Sequence, residues 1–503
     1  MKKLDKRGSG ILLHISSLPS NYGIGTFGEE AYRFADFLKE SGQSYWQILP
    51  LGQTSFGDSP YQSFSINAGN PYFIDLDLLA KDGLLKKEDY ISLNWGDNST
   101  EVDYGLLYNT RYEVLKKAFE NFDLNDTNYK EFLKKERDWL DDYAIFMTMK
   151  RRNNNSSWDN WDIKFKTRDK KTLVNFIKEN PSDIDFWRFI QYKFYEQWNN
   201  LKDYVNNLGI DIIGDVPIYV AYDSVDVWKN PEFFQLDENL EMVSVAGCPP
   251  DGFSADGQLW GNPLYNWEYM EKTKYRWWIN RLESAISLYN IVRMDHFRGF
   301  ESYYSIPAKD KTAVNGHWEK GPGMKLFNAV KKKLGDLDII AEDLGFVTDE
   351  VAELLKDSGF PGMKLLEFAF DSREGGDYLP HNYTQNSVGY IGTHDNDTAV
   401  GWLVNSKTED IEYMRMYLDI YNFDDKATAW KMIDRIMSSV CNTVIIQMQD
   451  YLGLGSESRM NTPSALGSNW SWRMKKEDIN HELAKRIIHV TGLYKRMEIK
   501  IIK

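Results

Sequence analysis

Cysteine is nearly absent from this chain: 503 residues contain two, Cys248 and Cys441. Two thiols cannot make a disulfide framework, and neither belongs to a CxxC or Cys/His cluster of the kind that holds zinc. Both read as free thiols on small buried side chains, and the sequence predicts no metal and no cofactor. Long apolar runs are missing too. None approaches the roughly 20 residues that cross a bilayer. The basic start, Met1 to Gly8, is followed by no apolar stretch of the signal-peptide kind. A cytoplasmic protein is the expectation. Positive charge is in deficit, with 60 Lys and Arg against 75 Asp and Glu and a net charge of -15. Nucleic acids and anionic membranes attract basic proteins, so neither is expected as a partner. No G-x-G-x-x-G follows any strand-like run, which removes the usual support for a nucleotide site. The oligomeric state is not legible.

Aromatic residues are plentiful instead, at 15% of the chain. Their flat faces suit the apolar C–H faces of sugar rings, and equally a large core. Short apolar runs recur along the chain. Ile11–Ile15, Tyr45–Leu49, Asp211–Val216, Ile291–Met294, Ile339–Ala341, Met363–Leu366 and Val388–Ile391 read as strands buried on both faces. Helical patterns separate them, as over Glu30–Glu40, Met324–Leu334 and Thr348–Ser358. With an eighth strand before Thr462, the best fit is a single (β/α)₈ barrel over 1–503, and an open doubly wound sheet is the runner-up. Two stretches interrupt the alternation. Residues 78–208 carry apolar and aromatic residues at helical spacing and read as a mostly helical insertion, with Arg151–Trp161 as an exposed loop. Residues 222–269 read as an insertion rich in Pro, Gly and aromatics.

Three acids end strand-like runs: Asp295 after Ile-Val-Arg-Met, Glu342 after Ile-Ile-Ala, and Asp395 after Tyr-Ile-Gly-Thr-His. Barrel enzymes keep their reacting groups where strands emerge. Glycoside chemistry asks for such a set: a nucleophile, a proton donor and a transition-state stabiliser. Arg293, two residues before Asp295, faces the same side of its strand and is expected to keep that carboxylate ionised. Asp343, next to Glu342, is expected to raise its proton affinity. Each signal alone has a plain structural reading: a strand-end ion pair, a solvated loop, a helix cap. Asp215, ending Ile-Ile-Gly-Asp, reads equally well as a fourth site acid or as an internal barrel residue bonded to Arg293.

The segments around these acids resemble the α-amylase superfamily and, within it, the 4-α-glucanotransferases of glycoside hydrolase family 77. The motifs run in family order from about residue 8 to 473. They include Gly10-Ile-Leu-Leu-His-Ile-Ser-Ser-Leu-Pro, Asp58-Ser-Pro-Tyr-Gln-Ser, Gly214-Asp-Val-Pro-Ile-Tyr-Val, Gly257-Gln-Leu-Trp-Gly-Asn-Pro, Arg293-Met-Asp-His-Phe-Arg-Gly, Ala341-Glu-Asp-Leu-Gly and Gly392-Thr-His-Asp-Asn-Asp. The resemblance implies Asp295 as nucleophile, Glu342 as acid/base and Asp395 as transition-state stabiliser. It implies substrate contacts from Arg293, His394 and Asp215, a Tyr61 ring stacked on a glucosyl unit, and a cover formed by Trp260 with Pro249, Pro250 and Asp251. Malto-oligosaccharides and α-1,4-glucans are the implied partners. One departure is visible: Ala465 stands where the family usually has Thr. The chain ends soon after this motif, so no C-terminal β-sandwich is expected. A hydrolase on the same scaffold and a non-catalytic glucan-binding protein are the alternatives.

Overall fold

The computed structural model describes residues 3–497 except 56, 251–253, 346, 372–375, 422–423, 464 and 466. Among the described residues, twelve strands are formed: β1 (Gly8–Leu12), β2 (Tyr45–Gln47), β3 (Asp211–Val216), β4 (Ser244–Cys248), β5 (Gln258–Pro263), β6 (Ile291–Met294), β7 (Ser302–Pro307), β8 (His317–Lys320), β9 (Ile339–Ala341), β10 (Gly362–Leu365), β11 (Ser387–Tyr390) and β12 (Thr443–Gln447). Eight of them pair in parallel in the order β10-β11-β12-β1-β2-β3-β6-β9. The Ala341 amide donates to the Pro361 carbonyl at 2.9 Å and joins the two ends of that order. The result is a (β/α)₈ barrel. Its strands are short apolar runs because both faces are buried, one by the barrel interior and one by the outer helices. Close packing shows at Gly214 in β3: a Cβ there would lie 2.1 Å from the Tyr289 ring.

Helices Glu29–Glu40, Pro181–Asn207, Arg276–Leu288, Met324–Leu334, Asp349–Ser358, Asp425–Ser438 and His481–Leu493 follow the strands. After β10 the described residues make only short 3₁₀ turns, at Glu367–Phe370 and Pro380–Asn382. The stretch between β2 and β3 holds helices Tyr104–Glu120, Thr127–Lys135, Arg137–Arg152, Lys170–Glu179 and Pro181–Asn207. Aspartates begin several of them: Asp103 accepts from Leu106 N and Asp126 from Tyr129 N, satisfying amides that a helix start leaves without partners. Arg151–Trp161 differs from its expected exposure. Asn154 and Asn155 face solvent, but Trp158 is fully buried and its indole N–H donates to the Tyr222 carbonyl at 2.7 Å. A satisfied indole lets one aromatic residue bury itself within a segment that is otherwise polar.

The stretch 222–269 contains regular structure that its composition conceals. Strands β4 and β5 pair antiparallel and join β7 and β8, from the segment after β6, in a second sheet of order β5-β4-β7-β8. A small cluster of Val245, Tyr304, Ile306 and Ala313 packs this sheet apart from the main core. Among the described residues, no helix is long and apolar enough to cross a membrane.

Candidate active site

Asp295, Glu342 and Asp395 meet at the C-terminal ends of their strands, in one cleft with a volume of about 2010 Å³. Register brings the first partners together. Asp215 on β3 pairs with Arg293 on β6, and the Arg293 side chain, itself buried, bridges two acids. Its Nη1 donates to Asp215 Oδ2 at 2.7 Å and to Asp295 Oδ1 at 3.1 Å. The two-residue spacing thus does place Arg293 beside Asp295. Burial nevertheless outweighs it and pushes the Asp295 carboxyl up to about 6, with Asp215 and Asp395 adding to the rise. The lowering expected from Arg293 is present, but burial outweighs it.

Glu342 stands just past β9. Burial pushes it up to about 8; Arg293 opposes the rise, and Asp295 contributes more to it than Asp343 does. Asp343 is the smaller influence because its carboxylate is turned toward β10, where it accepts from the Met363 amide at 2.7 Å. Glu342 itself accepts from two amides, His296 N at 2.6 Å and Leu344 N at 3.1 Å.

Asp395 behaves in the opposite sense. Burial raises its proton affinity, but the charge of His394, with hydrogen bonds from His394 and Asn461, holds it well below the usual carboxylate range. His394 Nε2 is 3.3 Å from Asp395 Oδ2, and Asn461 Nδ2 donates to Oδ1 at 2.5 Å. Arg459 donates to the Asp395 carbonyl at 2.6 Å, which pins the turn itself.

The remaining predicted residues divide. Tyr61, Arg293, His394 and Trp260 line the cleft. The Tyr61 ring lies on His394 with centroids 5.2 Å apart and planes 15° apart, and its hydroxyl donates to Asp215 Oδ2 at 2.8 Å. Asp215 sits behind Tyr61 and Arg293 rather than on the cleft wall, beside a separate small cavity of about 70 Å³. That is the internal position bonded to Arg293 which its sequence context allowed. Pro249 and Pro250 follow β4 and are not part of the cleft wall, while Trp260 on β5 is. Asp251 lies outside the described residues. Among the described residues, no group of three or more His, Cys, Asp or Glu is arranged to hold a metal ion.

Sequence reasoning passed over Asn461, Arg459 and Trp470. Asn461 and Arg459 come from the segment after β12, and the Trp470 ring lies 5.8 Å from that of Tyr61. The only signal was the Asn461-Thr-Pro motif itself. Ala465, the departure from the family pattern, meets Asn469 through its carbonyl at 3.1 Å, a contact that needs no side-chain hydroxyl.

A parallel eight-stranded barrel with carboxylates clustered at its strand ends is an arrangement that glycoside-active enzymes use, and comparison with known proteins narrows it. The chain belongs to the 4-alpha-glucanotransferase family, glycoside hydrolase family 77, whose profile matches residues 13–479. It is 52% identical over 493 residues to a 4-alpha-glucanotransferase of Clostridium butyricum, covering 97% of this chain and 100% of the relative. A 4-alpha-glucanotransferase of Thermus thermophilus is 44% identical, with 96% of this chain and 97% of the relative covered. Among solved structures, the amylomaltase of Streptococcus agalactiae in complex with acarbose superposes with a TM-score of 0.95 at 44% identity, covering 98% of this chain and 100% of that one.

Proposed function

We propose that the protein is a retaining 4-α-glucanotransferase that moves a segment of an α-1,4-glucan onto the 4-hydroxyl of glucose or of another glucan. The observation that carries this reading is the separation of the acids' proton affinities within one cleft. Burial raises both carboxyls, and Glu342 further than Asp295, so the proton of the pair rests on Glu342 and leaves Asp295 ionised. A nucleophile and a proton donor need those two states.

In the first half-reaction Asp295 attacks the anomeric carbon while the Glu342 proton passes to the departing glycosidic oxygen. The carboxylate–carbon bond forms as the carbon–oxygen bond breaks, leaving a glucosyl ester. Glu342, now ionised, takes the proton of the acceptor 4-hydroxyl in the second half, and that oxygen displaces Asp295. Asp395, held ionised by His394 and Asn461, is suited to bind sugar hydroxyls and to stabilise positive charge developing on the ring. Donor and acceptor bonds are alike, so the reaction needs no nucleotide sugar. Tyr61, Arg293 and His394 supply the polar and aromatic walls, and Asp215 acts through Tyr61 and Arg293. Trp260 and its sheet form one side of the cover. A cover that keeps water from the glucosyl ester favours the sugar acceptor over hydrolysis.

Incubation of the purified protein with maltotriose alone tests the proposal. The expected products are glucose and oligosaccharides longer than maltotriose, with total reducing ends constant. Rising reducing ends without longer products would make the protein a hydrolase instead.

A further inference from the structure

The residue that follows Asp295 has a backbone conformation uncommon for any residue with a Cβ. His296 lies in the left-handed region, at φ 47° and ψ 51°. Residues held there against preference cluster at functional sites when their surroundings determine them. Here the surroundings are explicit. The Asp295 amide is bonded to the Val216 carbonyl at 3.1 Å, and the Phe297 amide to the Glu342 carbonyl at 2.9 Å. Between these two fixed points, the His296 amide donates to Glu342 Oε2 at 2.6 Å. A different φ at residue 296 must move either the Phe297 bond or this amide. The imidazole stands edge-on to the Trp260 ring, with centroids 4.8 Å apart and planes at 88°. Trp260 belongs to β5 in the second sheet, so a cover strand props the turn between the two reacting acids.

We propose that His296 is a positioning residue for the proton donor: its left-handed turn, braced by Trp260, holds a backbone N–H on the Glu342 carboxyl and so sets where and how tightly the catalytic proton is held. The inference rests on Glu342 being the acid/base. Besides this amide, Glu342 is influenced by Arg293, Asp295 and Asp343 and accepts from the Leu344 amide. The imidazole is not itself the titrating group. Burial, with Arg298 nearby, holds it down at about 4, so it is neutral throughout the working range.

An amide donated to a carboxylate favours the ionised form, so weakening it raises the carboxyl's pKa and moves the alkaline limb of activity upward. Three variants separate backbone from ring. His296→Asn keeps the left-handed turn, since Asn adopts it readily. His296→Gly permits the turn without enforcing it. His296→Val opposes it through β-branching. With maltotriose as substrate, the alkaline limb of kcat/KM is expected to rise least for Asn, which keeps the turn but loses the Trp260 contact, further for Gly, and most for Val, by about half a pH unit or more. In Val, kcat at the optimum should fall about tenfold with KM little changed. If Val does not fold, Gly against Asn carries the same test. Coincident limbs in all folded variants, or the reverse order, overturn the inference. Glu342→Gln is run alongside. Undiminished transfer in that protein would instead remove the acid/base assignment on which the inference rests.

Discussion

Glu342 after β9 and Asp395 after β11 are carboxyls set into the same cleft at equivalent places in the barrel, yet they are driven in opposite directions. Around Glu342 the donors are two backbone amides, with Arg293 engaged mainly by Asp215 and Asp295, and burial prevails. Around Asp395 a histidine and an asparagine side chain converge on the carboxylate oxygens, and burial, weaker for a side chain that stays 41% exposed, loses. The strand end places a carboxyl in the cleft. What surrounds it decides whether it serves as an acid or as a fixed negative charge.

The largest test removes one side of this contrast. Glu342→Gln and Asp295→Asn should each lower kcat on maltotriose by about 10³-fold or more, because each takes away a group that makes or breaks a bond. A fall of less than tenfold in either would place the chemistry elsewhere. A smaller change attacks the other side. Asn461→Ala deletes the 2.5 Å donor to Asp395 and should reduce kcat about tenfold, the equivalent of one charge-assisted hydrogen bond. It should also bring Asp395 up toward the ordinary carboxylate range, which still lies below Asp295, so the acid limb that Asp295 sets should stay in place. A kcat lowered by less than about twofold would mean that His394 alone holds Asp395.

The smallest effect is on stability. Glu342 has a folded-state pKa raised to about 8, above the ordinary glutamate value of about 4. Its protonated form is favoured by the fold, so the stability it allows is fully present below the unfolded value and is lost as pH rises through about 8. Glu342→Gln does not titrate. It should therefore melt a few degrees above the parent at pH 9, and the difference should vanish near pH 4. Equal melting temperatures at pH 9 would show that the buried carboxylate carries no penalty.

The barrel strands were legible because a strand buried on both faces must be a largely apolar run; Ile339–Ala341 is one end to end, and Ile291–Met294 is one but for Arg293. The acids were legible for the same reason: a charged residue stands out where an apolar run stops. The second sheet was not legible. Val245 to Gly247 are small residues in a Pro- and Gly-rich stretch, and their partner β7 lies some 60 residues later beyond another barrel strand. Trp158 was misread because a polar neighbourhood says nothing of a distant carbonyl waiting for its indole.

Local chemistry in the sequence determined the scaffold and the candidate acids on it: apolar runs at strand length, acids at their ends, and motifs in family order. Only the tertiary structure decided what each acid does. Asn461 reaches Asp395 across 66 residues, and His296 reaches Glu342 across 46. Proton affinity depends on desolvation and on donors within a few ångströms, and those neighbours are set by barrel closure rather than by adjacency along the chain.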